Sequence, residues 1–227
     1  MRLEGPELRG GVWTWSGSWG EIEVRFTGQG PREEREEVLR RIEDGAVEAP
    51  PVAWLKQIHS NVALAGSAGN CGEGDGLFTD RAGLALAVAT ADCVPVLVAG
   101  SDGRIAAIHA GWRGLVNGVI ATTLRAMSEG DPGGGLRAWI GPAIGPCCYE
   151  VGDEVAEAVV AASGPEVARP GPSGKPHLDL VAAARIQLAR AACETVPHGT
   201  RSESERLWSY RRLGKGAGRN LAFIWRR

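Results

Sequence analysis

Two histidines and one cysteine have the side chains of metal ligands. His59 lies in the run KQIHS, His109 closes AAIHAGW, and Cys93 sits in the polar break TADCVP between two apolar runs. All three fall where a strand is expected to end, and a sheet presents such side chains to a cleft. Two imidazoles and a thiolate form a donor set for zinc or copper. Three protein ligands leave a fourth position for water or substrate, which is the pattern of a catalytic zinc rather than a structural one. The separations, 34 and 16 residues, follow no short zinc motif. Spacing alone therefore leaves open a plainer arrangement of two hydrogen-bonded histidines and an inert buried thiol.

Other residues suggest chemistry less directly. Asp92 stands inside an apolar run, where a carboxylate is costly unless paired. It can orient a metal-bound imidazole or form a turn bonded to nearby amides. The tracts GWRG (111–114) and GPAIGPCC (141–148) are Gly-rich but are neither a Walker loop nor GxGxxG, so they read as tight turns. Adjacent Cys147 and Cys148 suggest a redox pair. Neighbouring cysteines bond only with strain, so packing is the expectation. The tract SYRR (209–212) offers a phenol and two guanidiniums, suited to an anion such as phosphate or to a solvated strand face.

The elements that must position these groups follow from the patterning. GVWTW and EIEVRF alternate like strands, with SGSWG as the turn between them. Ile22, Val24 and Phe26 share one face, and Glu21, Glu23 and Arg25 the other. From Pro31 the charged run REEREEVLRRIED predicts a helix with Glu36/Arg40 and Glu37/Arg41 pairs. AWLKQIHSNVALAG reads as a strand and GNCGEGDG as a loop. LALAVAT, VPVLVAG and RIAAIHA read as strands covered on both faces. LVNGVIATTLRAM reads as one helix, EGDPGGG as a loop and LRAWIG as a strand. A helix is expected from Asp153 to Ala162, then a linker at GPEVARPGPSGKPH. Asp179 is expected to cap the helix LVAAARIQLARAACETV, with strands at RLWSYRR and NLAFIW. More strands than helices, in hairpin-like and crossover-like groups, predict an α+β (mixed α/β) fold with mixed sheets. The shortage of long linkers predicts a single domain over 1–227.

Composition bounds the function. The chain has 227 residues, 44% hydrophobic and 23% charged, which excludes disorder. A net charge of −2 gives no electrostatic case for nucleic acid or an anionic membrane. The five cysteines form neither a disulfide framework nor CxxC. Residues 82–100 imitate a membrane span, but Asp92 and Pro95 break it into two strands. No apolar run follows the opening Met-Arg-Leu-Glu-Gly-Pro, so the expectation is a cytoplasmic protein with reduced thiols.

KQIH, DGLFTD, TADCVPVL, AAIHAGWRG, IGPAIGPCCYEVG, HLDL and SYRR…GR, in this order from about Arg35 onward, resemble the YfiH-type laccase-domain family. That family is also called the multicopper polyphenol oxidase or purine nucleoside phosphorylase family. The resemblance implies a four-layer α/β/β/α fold. It also implies that His59, Cys93 and His109 are the metal ligands and catalytic centre. It implies a zinc enzyme, copper being possible, that phosphorolyses adenosine, inosine and methylthioadenosine, with adenosine deamination in the same pocket. The partners expected are a purine nucleoside and phosphate, with no nucleic acid or membrane. The chain itself would be a monomer or small homo-oligomer. An Asn-Arg pair of the family aligns with Glu34-Arg35, which implies Arg35 as a substrate-binding residue. Arg211 is a second candidate for phosphate, and Asp75 and Asp92 are candidates to support the site from behind.

The sequence departs from the family pattern at its N-terminal tract EIEVRFTGQG, at Ser60, Gly199, Leu213 and Ala217, while the ligand triad is untouched. Four histidines cannot build a multicopper cluster. Other readings are a Cys93/His109 cysteine hydrolase, which leaves His59 unexplained, a copper-dependent polyphenol oxidase, and a non-catalytic zinc module.

Overall fold

Two β-sheets lie face to face, and this explains why so many central strands are apolar on both sides. The computed structural model describes residues 3–43, 49–128, 135–189 and 191–227. The first sheet runs β1 (Glu4–Arg9), β2 (Val12–Trp19), β3 (Ile22–Thr27), β15 (Asn220–Arg226), β8 (Ala85–Thr90), β4 (Val52–Lys56), β6 (Gly69–Glu73). The second runs β14 (Ala191–Thr195), β11 (Leu136–Ile140), β9 (Val94–Gly100), β10 (Ile105–Ala110), β7 (Gly76–Thr79), β5 (Ala63–Ala65). Both are mixed: β4 is parallel to β8 and β6, and β11 to β14, within otherwise mostly antiparallel neighbours.

Strand parity sorts the core into layers. Leu86 and Val88 of β8 and Ala222 and Ile224 of β15 point between the sheets, into one cluster with Leu97, Ala107 and Trp139. The alternate residues Ala85, Ala87, Phe223 and Trp225 face outward and meet Val38, Leu39 and Ile42 of α1 (Arg35–Ile42). On the far side, Val94, Val96, Val98, Ala106 and Ile108 are covered by four helices. These are α2 (Trp112–Val116), α3 (Val119–Met127), α4 (Asp153–Ser163) and α5 (Leu180–Gln187). The result is the four-layer α/β/β/α arrangement with mixed sheets.

Several elements differ from their sequence reading. SGSW continues β2, and the turn comes at Gly20. The charged segment becomes helical only at Arg35. There Arg40 pairs with Glu37 at 2.7 Å rather than with Glu36, whereas Arg41 keeps the expected pair with Glu37 at 4.0 Å and also reaches Glu33 at 2.6 Å. The polar face of β3 is buried: the Arg25 guanidinium lies over Trp225 and bonds Glu23 and Glu43 at 2.9 and 2.8 Å. AWLKQIHSNVALAG is two strands, β4 and β5, with His59 in their connection, and GNCGE forms β6. The long helix around Asn117 splits into α2 and α3, because Gly118 adopts φ +76°. Residues 129–134 of the EGDPGGG segment lie outside the described residues.

The linker-like stretch holds a 3₁₀ turn, Pro165–Val167, and the hairpin β12 (Ala168–Pro170) and β13 (Pro176–Leu178). Asp179 caps α5 as expected, accepting from the Ala182 N–H at 2.8 Å. That helix stops at Gln187, and Ala191–Thr195 is β14 rather than its continuation. Residues Tyr210–Leu213 form a single helical turn, α6, because Ser209 caps it by accepting the Arg212 N–H. No helix among the described residues is long and apolar enough to cross a membrane, and 82–100 are β8 and β9.

Candidate metal centre

Sheet register brings Cys93 beside His109. In the antiparallel β9–β10 pair, Val94 lies opposite Ala110 and Pro95 opposite His109, so Cys93, one residue before β9, stands at the same edge. His59 arrives from the β4–β5 connection with φ +60°, a left-handed conformation that needs local support. Asp75, fully buried just before β7, supplies that support. Its carboxylate accepts the backbone N–H groups of His59 at 3.1 Å and Ser60 at 2.6 Å, and the Ser60 hydroxyl at 2.7 Å. Its Oδ1 also lies 2.7 Å from His109 Nδ1, and its carbonyl accepts the His109 N–H at 2.8 Å. One carboxylate thus fixes the loop of one imidazole and the orientation of the other. With Nδ1–H given to Asp75, His109 Nε2 is left to face a ligand.

The ligand atoms of His59, Cys93 and His109 lie within 4.8 Å of one another. Cys93 Sγ is 3.9 Å from His59 Nε2, and the two rings stand edge to face at 4.9 Å. Gly111 gives the cluster room, for a Cβ there would sit 3.0 Å from both Cys93 Sγ and the His59 ring. Burial by itself pushes the Cys93 thiol up. The hydrogen bonds and charges of His109 and His59 together outweigh it and hold the thiol at about 6. Burial would likewise lower His109, but Asp75 and Cys93 raise it to about 9. Asp75 is held at about 2: burial opposes this, and the bonds from His109 and Ser60 overcome it. Cys93 is therefore largely a thiolate at neutral pH, paired with a protonated His109, and a metal taking both ligands would displace the His109 proton.

These three groups line a cavity of about 550 Å³. Its lining includes Arg113, Arg211, Arg219, Tyr149, Tyr210 and Trp112. Asp92 also lines it, at φ +101°, but touches neither imidazole. Its carboxylate accepts the Thr200 hydroxyl and the Arg211 N–H, each at 2.6 Å, so it ties α6 to the turn that carries Cys93. The Arg211 side chain lies over Tyr149 at 5.1 Å and donates to the Glu150 carbonyl at 2.9 Å. Arg35 is in an adjoining cavity of about 380 Å³ with Arg32 and Trp208, and Ala89 and Arg219 line both cavities. The Arg35 guanidinium packs over Trp54, and its Nε has no hydrogen-bond partner. Burial lowers its pKa.

Several contributors escaped sequence reading. Gln57 lies in KQIH, yet its amide is spent clamping β4 to β8, donating to the Ala89 carbonyl and accepting the Ala89 N–H. Arg113, Tyr149 and Arg219 lie inside HAGWRG, CCYEVG and the final GR tract, so their motifs were visible but their convergence was not. The remaining histidines are engaged elsewhere: His177 Nδ1 bonds the Pro146 carbonyl, and His198 pairs with Glu203 and meets Trp15.

The family model described as multi-copper polyphenol oxidoreductase laccase matches residues 15–227. The purine nucleoside phosphorylase YfiH of Escherichia coli strain K12 is 37% identical over 205 residues, 87% of this chain and 83% of that protein. Adenosine deaminase RL5, from an unknown prokaryotic organism, is 37% identical over 163 residues, 67% of this chain and 62% of that protein. The crystal structure of YlmD from Geobacillus stearothermophilus superposes with a TM-score of 0.79 at 28% identity, covering 91% of this chain and 92% of the other.

Proposed function

The chain belongs to the multi-copper polyphenol oxidoreductase laccase family, and on that premise we propose that it is a zinc-dependent purine nucleoside phosphorylase. Its substrates would be adenosine, inosine and methylthioadenosine, each with phosphate. One observation carries this reading: two imidazoles and a thiolate converge in a cavity lined by three arginines. The first set suits a borderline-soft cation and the second an oxyanion. The name of the YfiH relative supports the reaction class.

The residues present fit zinc. Cys93 is held as a thiolate, His109 Nε2 is aimed by Asp75, and Gly111 leaves the space that any side chain would fill. Met127, a potential thioether for copper, is buried in the core under the second sheet rather than in the cavity. His59, Cys93 and His109 would hold the ion, which when bound supplies a Lewis acid to offset charge on a reacting oxygen.

In phosphorolysis a phosphate oxygen attacks C1′ of the ribose, the C1′–N bond breaks, and the base leaves with the electron pair. Arg211 and Arg113 would hold the phosphate oxygens by paired N–H bonds, and Arg35 would take part from the adjoining cavity, reached past Arg219. Burial, then the charge of Cys93, pushes the Tyr149 phenol up to about 12, so it keeps its proton and can donate to substrate. Asp75 and Asp92 act from behind, the first on both imidazoles and the second on α6.

The RL5 relative motivates a second reading, deamination of adenosine with water in place of phosphate. The hydrolase reading leaves His59 idle, and a closed zinc module would need a fourth ligand that no cluster among the described residues provides.

The test is to incubate metal-replete protein with adenosine and phosphate, with and without chelator, and to separate the products. Adenine and ribose 1-phosphate, lost on chelation, are expected; inosine would select deamination. Cys93→Ala should lose metal and turnover together, and a variant that keeps both would refute the site.

A further inference from the structure

The vicinal cysteines have no part in the metal centre, yet their setting is unlike that of the other thiols. Cys71 bonds within the Ser67–Gly69 turn, Cys193 contacts a neighbouring carbonyl, and Cys93 lies between two imidazoles. Consecutive side chains in extended backbone point to opposite sides. Here the Cys148 N–H donates to the Gly145 carbonyl at 3.0 Å, and the resulting turn brings the Cys147 and Cys148 sulfurs together at 2.7 Å. Cys147 is exposed and Cys148 half-buried. An accessible thiol with a second thiol directly behind it is the arrangement of an attacking and a resolving cysteine.

We propose that Cys147 and Cys148 form a reversible modification site, which a small-molecule disulfide converts to a vicinal disulfide. The hydrogen bond with Cys148, then burial, raises the Cys147 thiol above its ordinary pKa, so the attacking thiolate is a minor form that grows as pH rises; it attacks one sulfur of the reagent and releases one thiol. Cys148 then attacks the Cys147 sulfur of the mixed disulfide and releases the second. One reagent S–S bond and two protein S–H bonds are lost, and one protein S–S bond and two small thiols are gained. The protein is oxidised by two electrons and the reagent is reduced.

Adjacent Cα atoms are about 3.8 Å apart, closer than the roughly 4.4 Å minimum usual for a disulfide. Closure therefore bends the backbone, and a strained bond of this kind is readily reduced again. The next two residues transmit the bend. Tyr149 lines the metal cavity, and Tyr149 and Glu150 together hold the Arg211 side chain. The oxidised form would keep its metal ligands but misplace an arginine of the wall. This consequence for turnover rests on the phosphorylase reading; the chemistry at the two sulfurs does not.

The experiment treats zinc-loaded protein with glutathione disulfide, blocks remaining thiols with iodoacetamide, and weighs the peptide containing residues 147–148. Wild type should lose two hydrogens with no adduct and recover both on treatment with dithiothreitol. Cys148→Ser should instead retain a glutathione adduct on Cys147. A stable adduct on wild-type Cys147, or two alkylated thiols after prolonged exposure, would overturn the proposal. Zinc content is measured alongside: retained zinc with a several-fold higher KM for phosphate in the oxidised form supports the route through Arg211. An unchanged KM overturns that route, and Cys147→Ser should be insensitive to the reagent. The mass measurement reads the thiol pair even in a protein with no phosphorylase activity.

Discussion

Asp75 has the largest share of the centre's organisation, since the loop of His59 and the ring of His109 both depend on its carboxylate. Asp75→Asn keeps the shape and removes the charge. Loss of such a partner behind a metal ligand costs about 10–100-fold in metal affinity, which a competition titration with a chromophoric chelator would read. A second effect concerns acid. The folded pKa of about 2 lies below the ordinary 3.8, so the folded state holds this proton less well than the unfolded chain. Stability from Asp75 is fully present above about pH 4 and is lost as pH falls toward 2; it amounts to roughly 2 kcal/mol. Asn at this position should flatten that part of the acid limb in denaturant melts, and an unchanged slope between pH 4 and 2 would contradict the assignment. At this scale the sequence was informative about ligands and weak about their supports. His59, Cys93 and His109 have side chains that few roles explain. Asp75 was a candidate to support the site, but GEGDGLF gives no sign that its partner is a histidine 34 positions away. Asp92 drew notice as an odd carboxylate, but its partners, Thr200 and the backbone of Arg211, lie more than 100 residues on and could not be read.

Among the elements, α6 is the one whose placement depends most on a single residue. A four-residue helix has little stability of its own. It is held by the Ser209 cap and by the short bond from the Arg211 N–H to Asp92, whose other oxygen accepts the Thr200 hydroxyl. Asp92→Ala removes both the Arg211 and the Thr200 bond. A bond to a charged group is worth about 1.5–3 kcal/mol, so loss of the Arg211 bond should lower kcat/KM on the order of tenfold to a hundredfold, mainly through KM for phosphate. Metal content should stay at the wild-type level, because Asp92 touches no imidazole; measuring both on one preparation separates α6 placement from metal loss. The same element shows where periodicity misleads. SYRR alternates enough to pass for a strand, and only the cap and the glycine that follows end the turn as they do. The apolar strands β8, β9 and β10 were legible because burial on both faces leaves a continuous apolar run. The short edge strands were less so: β5 was merged with β4 into one strand and β6 was read as a loop, since short Gly- and Ala-rich strands carry no such run.

The molecule as a whole depends on the contact between its two sheets. Leu97 is fully buried there, with Trp139 in the same cluster. Leu97→Ala should cost about 2–5 kcal/mol in chemical denaturation, whereas metal affinity, set at the sheet edge, should change little; a parallel loss of both would mean the centre is coupled to the inter-sheet core. The layer order could be anticipated only through family resemblance. Composition and strand count gave mixed sheets, but which strands neighbour each other depends on pairings too distant to read from local pattern. The first sheet is an example: β15 lies between β3 and β8, and the Leu221 N–H donates to the Thr27 hydroxyl 194 residues earlier. That closure has a kinetic meaning. Until β15 docks, β3 and β8 each have an unpaired edge, and such edges recruit other chains. Nearly the whole polypeptide must be searched through before they are covered, which makes the step slow. Refolding yield should therefore fall steeply with protein concentration, and a chaperone that shields strand edges should help this chain most during the interval before its central strand arrives.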